Sequence, residues 1–411
     1  MQVLVADRVF DGDRFLGRAR VVIDRSRVVA VDTDVDSAPE GAEVLDFGDA
    51  TIMPGLVDAH IHLALDAGPD PLGRLSDVDD EQLLAEMQSA ARQALMAGVT
   101  TVRDLGDRGF LGVRIKEITS ADPLLGADVV PAGPPLTSPH GHCWSLGGVV
   151  EESGIRAAVR EHARSGADVI KVMVTGGEMT PGTDPTTCQF SLAALEAAAD
   201  EAHRQGLMIT GHAHGAAGIL AAVEAGFDGI EHASFATPDG PTADPAVIEQ
   251  LAASNITVTV LAGLKAGTVI PEPVARHIEM SQHVRRQMVE AGVRVIPGPD
   301  GGIGPFKPHD VLPQAILKLS EVMPIPDILA ASTSHAAQAC GLGSSKGRLV
   351  AGYDADVLVA TGDLEHVLGS IASPVAGLPP RSEGTVGPHG TRVNRTLMPS
   401  GRPKQQTSLR D

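Results

Sequence analysis

The sequence predicts an α/β fold: a TIM-like (β/α)8 barrel joined to a small β-sandwich domain that both chain termini build. Between about residues 54 and 340, short apolar runs alternate with Ala/Leu-rich stretches of helical period, such as SLAALEAAADEAHRQG. Eight strand candidates lie in that region, which fits a barrel of eight β-then-α units better than a doubly wound sheet. Short strand-like runs separated by glycine lie on both sides of this region.

The two terminal segments are typical of β-hairpins. Residues 1–53 contain the strand-like runs QVLVA, RVVIDRSRVVAV and ATIMPG, separated by Gly, Asp and Pro. The segment KGRLVAGYDADVLVATGD after residue 340 shows the same pattern of strand-like runs and turn residues. We therefore assign residues 1–53 and 341–398 to the β-sandwich domain and residues 54–340 to the barrel. The polar residues 399–411 are expected to form a disordered tail.

Eight apolar runs are the predicted barrel strands. Barrels of this class carry their chemistry at the carboxyl ends of the strands, so functional side chains are expected there. The predicted strands are residues 56–63, 99–106, 127–133, 169–176, 207–214, 229–235, 256–262 and 293–300.

Composition limits the partners and the compartment. The 411-residue chain has a formal net charge of −20 and no Lys/Arg cluster, so we expect a small-molecule substrate, no nucleic acid and no membrane. The N-terminus lacks a basic segment leading into an apolar one, which indicates a cytoplasmic protein. The three cysteines form no CxxC pair and indicate neither a disulfide framework nor a thiolate metal site. A homo-oligomer is expected.

The first predicted strand, LVDAHIHL, carries two histidines in an otherwise apolar run. Side chains alternate across a strand, so Asp58, His60 and His62 point to one side, which is the axis of a closed barrel. A lone histidine there would be interpreted as a hydrogen-bonded core residue. Two at this spacing can bind one ion, because neutral histidine is the commonest protein ligand of zinc-like metals.

Similar residues follow three other predicted strands. The fifth strand ends in TGHAH, with His212 and His214, the sixth contributes His232, and the eighth ends at Asp300. The alternative to a metal site is a structural polar plug at the mouth of the barrel. Clustered histidine and aspartate are typical of metal centres, so we predict one here.

The fourth predicted strand, VIKVMVTGG, holds Lys171 within an apolar run. One interpretation is a lysine that snorkels to solvent or pairs with a carboxylate. The other is that burial lowers its pKa and frees the neutral amine. A neutral amine can react with CO₂ to give a carbamate, whose two oxygens could bridge two metals.

Together, PGLVDAHIHL, GVTTVRDLG, KVMVTGG, HAHG, IEHAS, PDGG and GYDADVLVA resemble the amidohydrolase superfamily over residues 1 to about 398. Within it, they resemble the binuclear, zinc-dependent Xaa-Pro dipeptidase and imidazolonepropionase-like group. The resemblance implies two divalent metals, most typically zinc, bridged by a carboxylated lysine and a hydroxide. By motif, His60, His62 and Asp300 would hold one metal and His212 and His232 the other. Lys171 would carry the bridging CO₂-derived carbamate.

This resemblance implies hydrolysis of a C–N bond. Two cations lower the pKa of a shared water and polarise the scissile carbonyl, while Asp300 would take the nucleophile's proton and pass it to the leaving amine. We expect an amide hydrolase acting on a dipeptide or an N-acyl amino acid. The alternative is a cyclic amide, imide or lactone hydrolase. A mononuclear deaminase is disfavoured because HAHGAAG contains no glutamate, and a non-catalytic scaffold because all six ligand candidates are present.

Candidate substrate contacts follow the third predicted strand, in PPLTSPHGHCW at residues 134–144. His142, with His214 and also His140, could bind a substrate carboxylate by charge-assisted hydrogen bonds. The alternative is that His140 and His142 only pack this loop. Residues 64–80 fit either a lid or a solvated loop.

Overall fold

The computed structural model describes residues 1–372 and 396–397. The predicted tail, residues 399–411, and part of the predicted C-terminal sandwich segment therefore lie outside the described residues. Six strands precede the first predicted barrel strand: β1 (Gln2–Ala6), β2 (Arg8–Val9), β3 (Ala19–Asp24), β4 (Arg27–Asp32), β5 (Glu43–Asp46) and β6 (Ala50–Pro54).

All eight predicted barrel strands are present. Each begins within one residue of its predicted start and ends one to three residues before its predicted end. They are β7 (Leu56–Ile61), β8 (Val99–Asp104), β9 (Asp128–Pro131), β10 (Val169–Met173), β11 (Met208–Ala213), β12 (Gly229–His232), β13 (Thr257–Val260) and β14 (Arg294–Pro297).

These eight strands form two parallel sheets, in the orders β7-β8-β9 and β10-β11-β12-β13-β14. Backbone hydrogen bonds cross both gaps between the sheets. The Leu136 amide donates to the Lys171 carbonyl at 2.8 Å, and the His62 amide donates to the Gly301 carbonyl at 2.9 Å. The Asp300 amide also donates to the His60 carbonyl at 2.9 Å. The last strand is thereby joined to the first, at the end where the predicted ligands lie.

Helices alternate with these strands, as the helical period of the sequence predicts. The second of them begins at an Asp79 side chain that accepts from the Gln82 amide, and it buries Leu83, Met87 and Leu95 on one face. The helices are α1 (Pro71–Arg74), α2 (Asp80–Met96), α3 (Leu111–Ala121), α4 (Ile155–Ser165), α5 (Leu192–Arg204), α6 (Ala216–Glu224), α7 (Pro245–Ala253), α8 (Glu272–Glu290), α9 (Leu312–Leu319), α10 (Ile325–Ala331) and α11 (Ser334–Ala339). In the described part of the chain, none is long and apolar enough to cross a bilayer.

Two further strands, β15 (Val357–Thr361) and β16 (Thr396–Leu397), belong to the terminal region. They extend a sheet in the order β16-β15-β6-β2, while the other terminal sheet has the order β4-β3-β1-β5. Leu4 and Ile23 from one sheet and Ile52 and Val357 from the other share one buried apolar cluster. Residues from both ends of the chain therefore pack together around a second core.

Gly298, directly after β14, provides a stability test of the packing beneath the site. A Cβ added there would lie 2.7 Å from the Cβ of His60 and 2.3 Å from Cγ2 of Thr259. Because both neighbours are buried, we expect Gly298→Ala to lower the free energy of unfolding by about 1–3 kcal/mol. Urea unfolding measures this change. The control is Gly154→Ala, whose added Cβ meets its nearest neighbour at an ordinary 3.4 Å; equal stability of both variants would contradict the predicted crowding.

Candidate metal and active site

The predicted ligands meet at the carboxyl ends of the parallel strands. His60 lies on β7, Lys171 on β10 and His212 on β11, while His232 ends β12 and Asp300 follows β14. All five side chains are buried. The strand order brings together residues that are up to 240 positions apart in the sequence.

The first group consists of His60, His62 and Asp300. Oδ1 of Asp300 lies 3.3 Å from Nε2 of His60 and 3.2 Å from Nε2 of His62. Ligand atoms bound at about 2.0–2.1 Å to a tetrahedral zinc ion lie about 3.3 Å from one another. The spacing of these three atoms therefore fits one metal ion.

The second group consists of His212, His214 and His232, whose ligand-type nitrogens lie within 4.8 Å of one another. The ring centroids of His212 and His232 are 4.4 Å apart, and the His232 ring is 5.1 Å from that of His60. The two groups are therefore adjacent. We predicted His214 as a substrate contact, and the structure places it beside the two predicted ligands.

Hydrogen-bond acceptors face one ring nitrogen of two of the predicted ligands. Nδ1 of His62 lies 3.4 Å from the Gly106 carbonyl, and Nε2 of His212 lies 3.1 Å from the Gly176 carbonyl. Such contacts orient a metal-binding imidazole and leave the opposite nitrogen available. Nε2 of His62 and Nδ1 of His212 are the atoms left available here.

Lys171 is only 1% exposed, and its Nζ has no hydrogen-bond partner among the described residues. Burial lowers the pKa of this amine to about 8, against the opposing effect of the Glu231 and Asp300 charges. Lys171 pairs in register with Thr210, and Met173, two residues later on the same strand, pairs with His212. The structure therefore places a buried amine with a lowered pKa among the predicted ligands.

Both ring nitrogens of His232 also lack hydrogen-bond partners within the described chain, and the polar contacts of Oδ1 of Asp300 are those with the ring nitrogens of His60 and His62. An unpartnered buried polar group is destabilising, so such groups are rarely concentrated without a function. His232 and Asp300 also have positive φ angles, of 74° and 63°. Backbone strain of this kind accumulates at functional sites, where the surrounding structure enforces it.

The protonation states at the site suit metal binding. Burial lowers the pKa of His214 to about 3, and burial likewise lowers the pKa of His212 and His232 well below the usual value. Burial opposes ionisation of Asp300, but its contacts with the rings of His60 and His62 hold its pKa below the ordinary range. Neutral imidazoles and an ionised carboxylate are the forms that bind metals.

His142 lies beside the second group, and its ring centroid is 4.6 Å from that of His212. Its amide donates to Oε1 of Gln189 at 2.6 Å, and burial lowers the pKa of its ring to about 4. The other residue predicted in this loop, His140, is exposed and makes no ring contact with the cluster in the described structure. The structure thus brings His142 to the site and leaves His140 at the surface.

Residues 64–80, which fitted either a lid or a solvated loop, contain the short helix α1. Arg74 at the end of α1 donates to both carboxylate oxygens of Glu86 on α2, at 2.6 and 2.7 Å. The segment is therefore attached to the second helix in this structure.

Two charged residues at the site were missed by the sequence analysis. Oε2 of Glu231 lies 2.9 Å from Nδ1 of His60, and Oε1 accepts from Nη2 of Arg103 at 2.8 Å. Both side chains are buried. The sequence signal for this pair was an arginine in one predicted barrel strand, β8, and a glutamate in another, β12. Buried charges are almost always paired, so each predicts a partner of opposite charge.

Known proteins resemble this chain over most of its length. A profile of the amidohydrolase family matches residues 51–385. The ochratoxinase of Aspergillus niger is 28% identical over 342 aligned residues, covering 75% of this chain and 69% of that protein. The imidazolonepropionase of Deinococcus deserti is 27% identical over 390 aligned residues, covering 85% of this chain and 88% of that protein.

Solved structures show the same fold. A Xaa-Pro dipeptidase with methionine bound in its active site superposes with a TM-score of 0.78 at 23% identity, covering 90% of this chain and 96% of that one. The resemblance that the sequence motifs indicated is confirmed by the family profile, which spans well over half of the chain. The chain belongs to the amidohydrolase family of hydrolases.

Proposed function

We propose that this protein is a metal-dependent hydrolase that cleaves the amide C–N bond of a small substrate, such as a dipeptide or an N-acyl amino acid. The observation that carries the proposal is the juxtaposition of two ligand groups with the unpartnered amine of Lys171. Dipeptidases among the structural relatives support the choice of substrate class.

The residues present fit two divalent cations, most suitably zinc. His60, His62 and Asp300 would hold the first, and His212 and His232 the second, with His214 available as a further ligand. When bound, two such ions would lower the pKa of a water held between them and polarise the substrate carbonyl. The unpartnered nitrogens of His232 and the 3.2–3.3 Å spacing around Asp300 support this assignment.

Lys171 is proposed to carry a carbamate. Its neutral Nζ would form a bond to the carbon of CO₂ and release one proton, so that an amine becomes an anion with two ligand oxygens. Four predicted histidine ligands and one aspartate supply a single negative charge for two dications in a buried site. The carbamate would add a second one between the two groups.

Asp300 is the proposed catalytic carboxylate. It would accept the proton of the attacking water and transfer it to the leaving amine. The neighbouring rings of His60 and His62 lower its pKa and keep it ionised at neutral pH, although burial opposes ionisation.

His142 is proposed to bind the substrate. A neutral imidazole can donate its N–H to a substrate carboxylate, and a hydrogen bond to a charged group is worth about 1.5–3 kcal/mol. We therefore expect His142→Ala to raise KM by about 10-fold or more, with metal content near that of the parent. Steady-state kinetics and elemental analysis measure the two effects. Loss of metal in this variant would instead make His142 a ligand.

A hydrolysis screen tests the proposed function. The metal-loaded protein would be assayed against dipeptides, N-acyl amino acids, hydantoins and lactones, with the metal-stripped protein as control. We expect metal-dependent release of an amine from the first two classes. Hydrolysis confined to hydantoins or lactones would favour the alternative substrate classes. No bound divalent metal, even after reconstitution, would contradict the proposed metal dependence and favour a non-catalytic scaffold.

The architecture around the site is proposed to be a closed (β/α)8 barrel over residues 54–340, with a β-sandwich built from residues 1–53 and 341–398. The hydrogen bonds that join β14 to β7, and the apolar cluster shared by the two terminal sheets, support it. A cytoplasmic, homo-oligomeric enzyme without nucleic-acid or membrane partners remains a prediction from the sequence.

A further inference from the structure

A buried charge network crosses the interior beneath the first ligand group. Arg103 on β8 and Glu231 on β12 are 2% and 0% exposed, and their strands are not hydrogen-bonded neighbours. Nη2 of Arg103 donates to Oε1 of Glu231 at 2.8 Å. The Thr210 hydroxyl donates to the same Oε1 at 2.6 Å. Two donors therefore occupy one oxygen of this carboxylate.

The other carboxylate oxygen faces the metal site. Oε2 of Glu231 lies 2.9 Å from Nδ1 of His60, and neither of these two buried atoms makes a hydrogen bond elsewhere in the described chain. On the opposite side of the same ring, Nε2 of His60 lies 3.3 Å from Oδ1 of Asp300. The His60 ring thus lies between two carboxylates, that of Glu231 at Nδ1 and that of Asp300 at Nε2.

Arg103 is itself held in place by backbone carbonyls. Its Nε donates to the Ala59 carbonyl at 2.7 Å, and its Nη1 donates to the Ala339 carbonyl at 3.0 Å. Ala59 is the residue directly before His60, so the same guanidinium contacts both the His60 strand and the carboxylate that faces its ring. A purely stabilising ion pair would not require the free carboxylate oxygen to face His60.

We propose that Glu231, held by Arg103 and Thr210, is a positioning residue that keeps the His60 proton on Nδ1 and its lone pair on Nε2, toward the metal. The inference rests on the metal site proposed above. His62 and His212 have neutral carbonyls facing their second nitrogen, whereas His60 has a full negative charge there. A carboxylate in that position also makes the imidazole a stronger ligand.

Glu231→Gln reverses the polarity of this contact while keeping the shape of the side chain. Arg103 and Thr210 both donate to the Oε1 position, so the amide oxygen is expected there and the amide NH₂ against Nδ1 of His60. Nδ1 must then accept, which moves the ring proton to Nε2 and removes the lone pair from the metal side.

The test uses the full chain loaded with Zn²⁺ and measures transfer of zinc to an excess of a chromophoric chelator. We expect Glu231→Gln to release one zinc about 10–100-fold faster than the parent. The matched control is Glu201→Gln, because Glu201 is also buried and paired with an arginine, Arg160 at 3.2 Å, but lies on α5. Its zinc release should equal that of the parent.

A second readout follows the tautomer directly in metal-free protein labelled with ¹⁵N-histidine. The signals absent from a His60→Asn variant identify the His60 ring, which should carry its proton on Nδ1 in the parent and on Nε2 in Glu231→Gln. If Glu231→Gln does not fold, Thr210→Val is used, since it removes one donor to Glu231 and keeps the β-branched shape. It should accelerate zinc release by a smaller factor.

Two results would overturn this inference without affecting the proposed function. The first is zinc release at the parent rate from folded Glu231→Gln, or from Thr210→Val if only that variant folds. The second is an Nε2 proton on His60 in the parent. A parent protein that binds no zinc would overturn the proposed function, and the inference with it. The parent's zinc content therefore separates the two failures.

Discussion

Replacing His60 or His232 with alanine is expected to lower kcat by at least about 1000-fold, because metal ions supply several kcal/mol of transition-state stabilisation and each 1.36 kcal/mol is tenfold in rate. His60 belongs to the first ligand group and His232 to the second, and the two rings are 5.1 Å apart. Each variant removes one proposed ligand and leaves the apolar core intact. Both proteins should fold, with reduced metal content.

The measurements are kcat, zinc per protomer and the thermal unfolding curve. His283→Ala is the control, since His283 is an exposed histidine on α8 away from the strand ends. Its kinetics should match those of the parent. Parent-like kcat in His60→Ala or in His232→Ala would contradict the assignment of that residue as a ligand.

Lys171→Ala is expected to lose metal and activity together. The substitution removes the proposed carbamate, the only ligand shared by the two groups, and leaves space at a fully buried position. Small carboxylic acids such as acetate or propionate can occupy that space and supply two oxygens. We therefore expect millimolar acetate to restore part of both the metal content and the hydrolysis rate.

The control for this experiment is Lys318→Ala, which removes a lysine that pairs with Glu321 on the surface at 2.7 Å. It should neither lose metal nor respond to acetate. If Lys171→Ala binds two metal ions and turns over at the parent rate without any added acid, then Lys171 is not the bridge.

The order and position of the strands could be predicted from the sequence because buried parallel strands are short apolar runs between turn residues. The ends of the strands could not. The sixth predicted strand was extended to residue 235, but the observed strand ends at His232, where φ is 74°, and Ala233 and Phe235 also have positive φ. Non-glycine residues adopt this conformation only when tertiary contacts enforce it, and sequence patterns do not show those contacts.

The ligand candidates could likewise be predicted, because histidine and aspartate are unusual at the ends of apolar strands. The role of Glu231 could not, because it depends on contacts with Arg103, 128 positions earlier in the chain, and with His60 on a third strand. Strand alternation predicts only that the Glu231 side chain points away from that of its neighbour His232. Only the three-dimensional arrangement shows that its carboxylate reaches the ring of His60.

The most direct test of the proposed centre is a crystal structure of the zinc-loaded protein with anomalous diffraction recorded at the zinc absorption edge. We predict two anomalous peaks, one among His60, His62 and Asp300 and one beside His212 and His232, with electron density extending from Nζ of Lys171 to both. A single peak or none, together with an unmodified Lys171 side chain, would contradict the carbamate-bridged binuclear site.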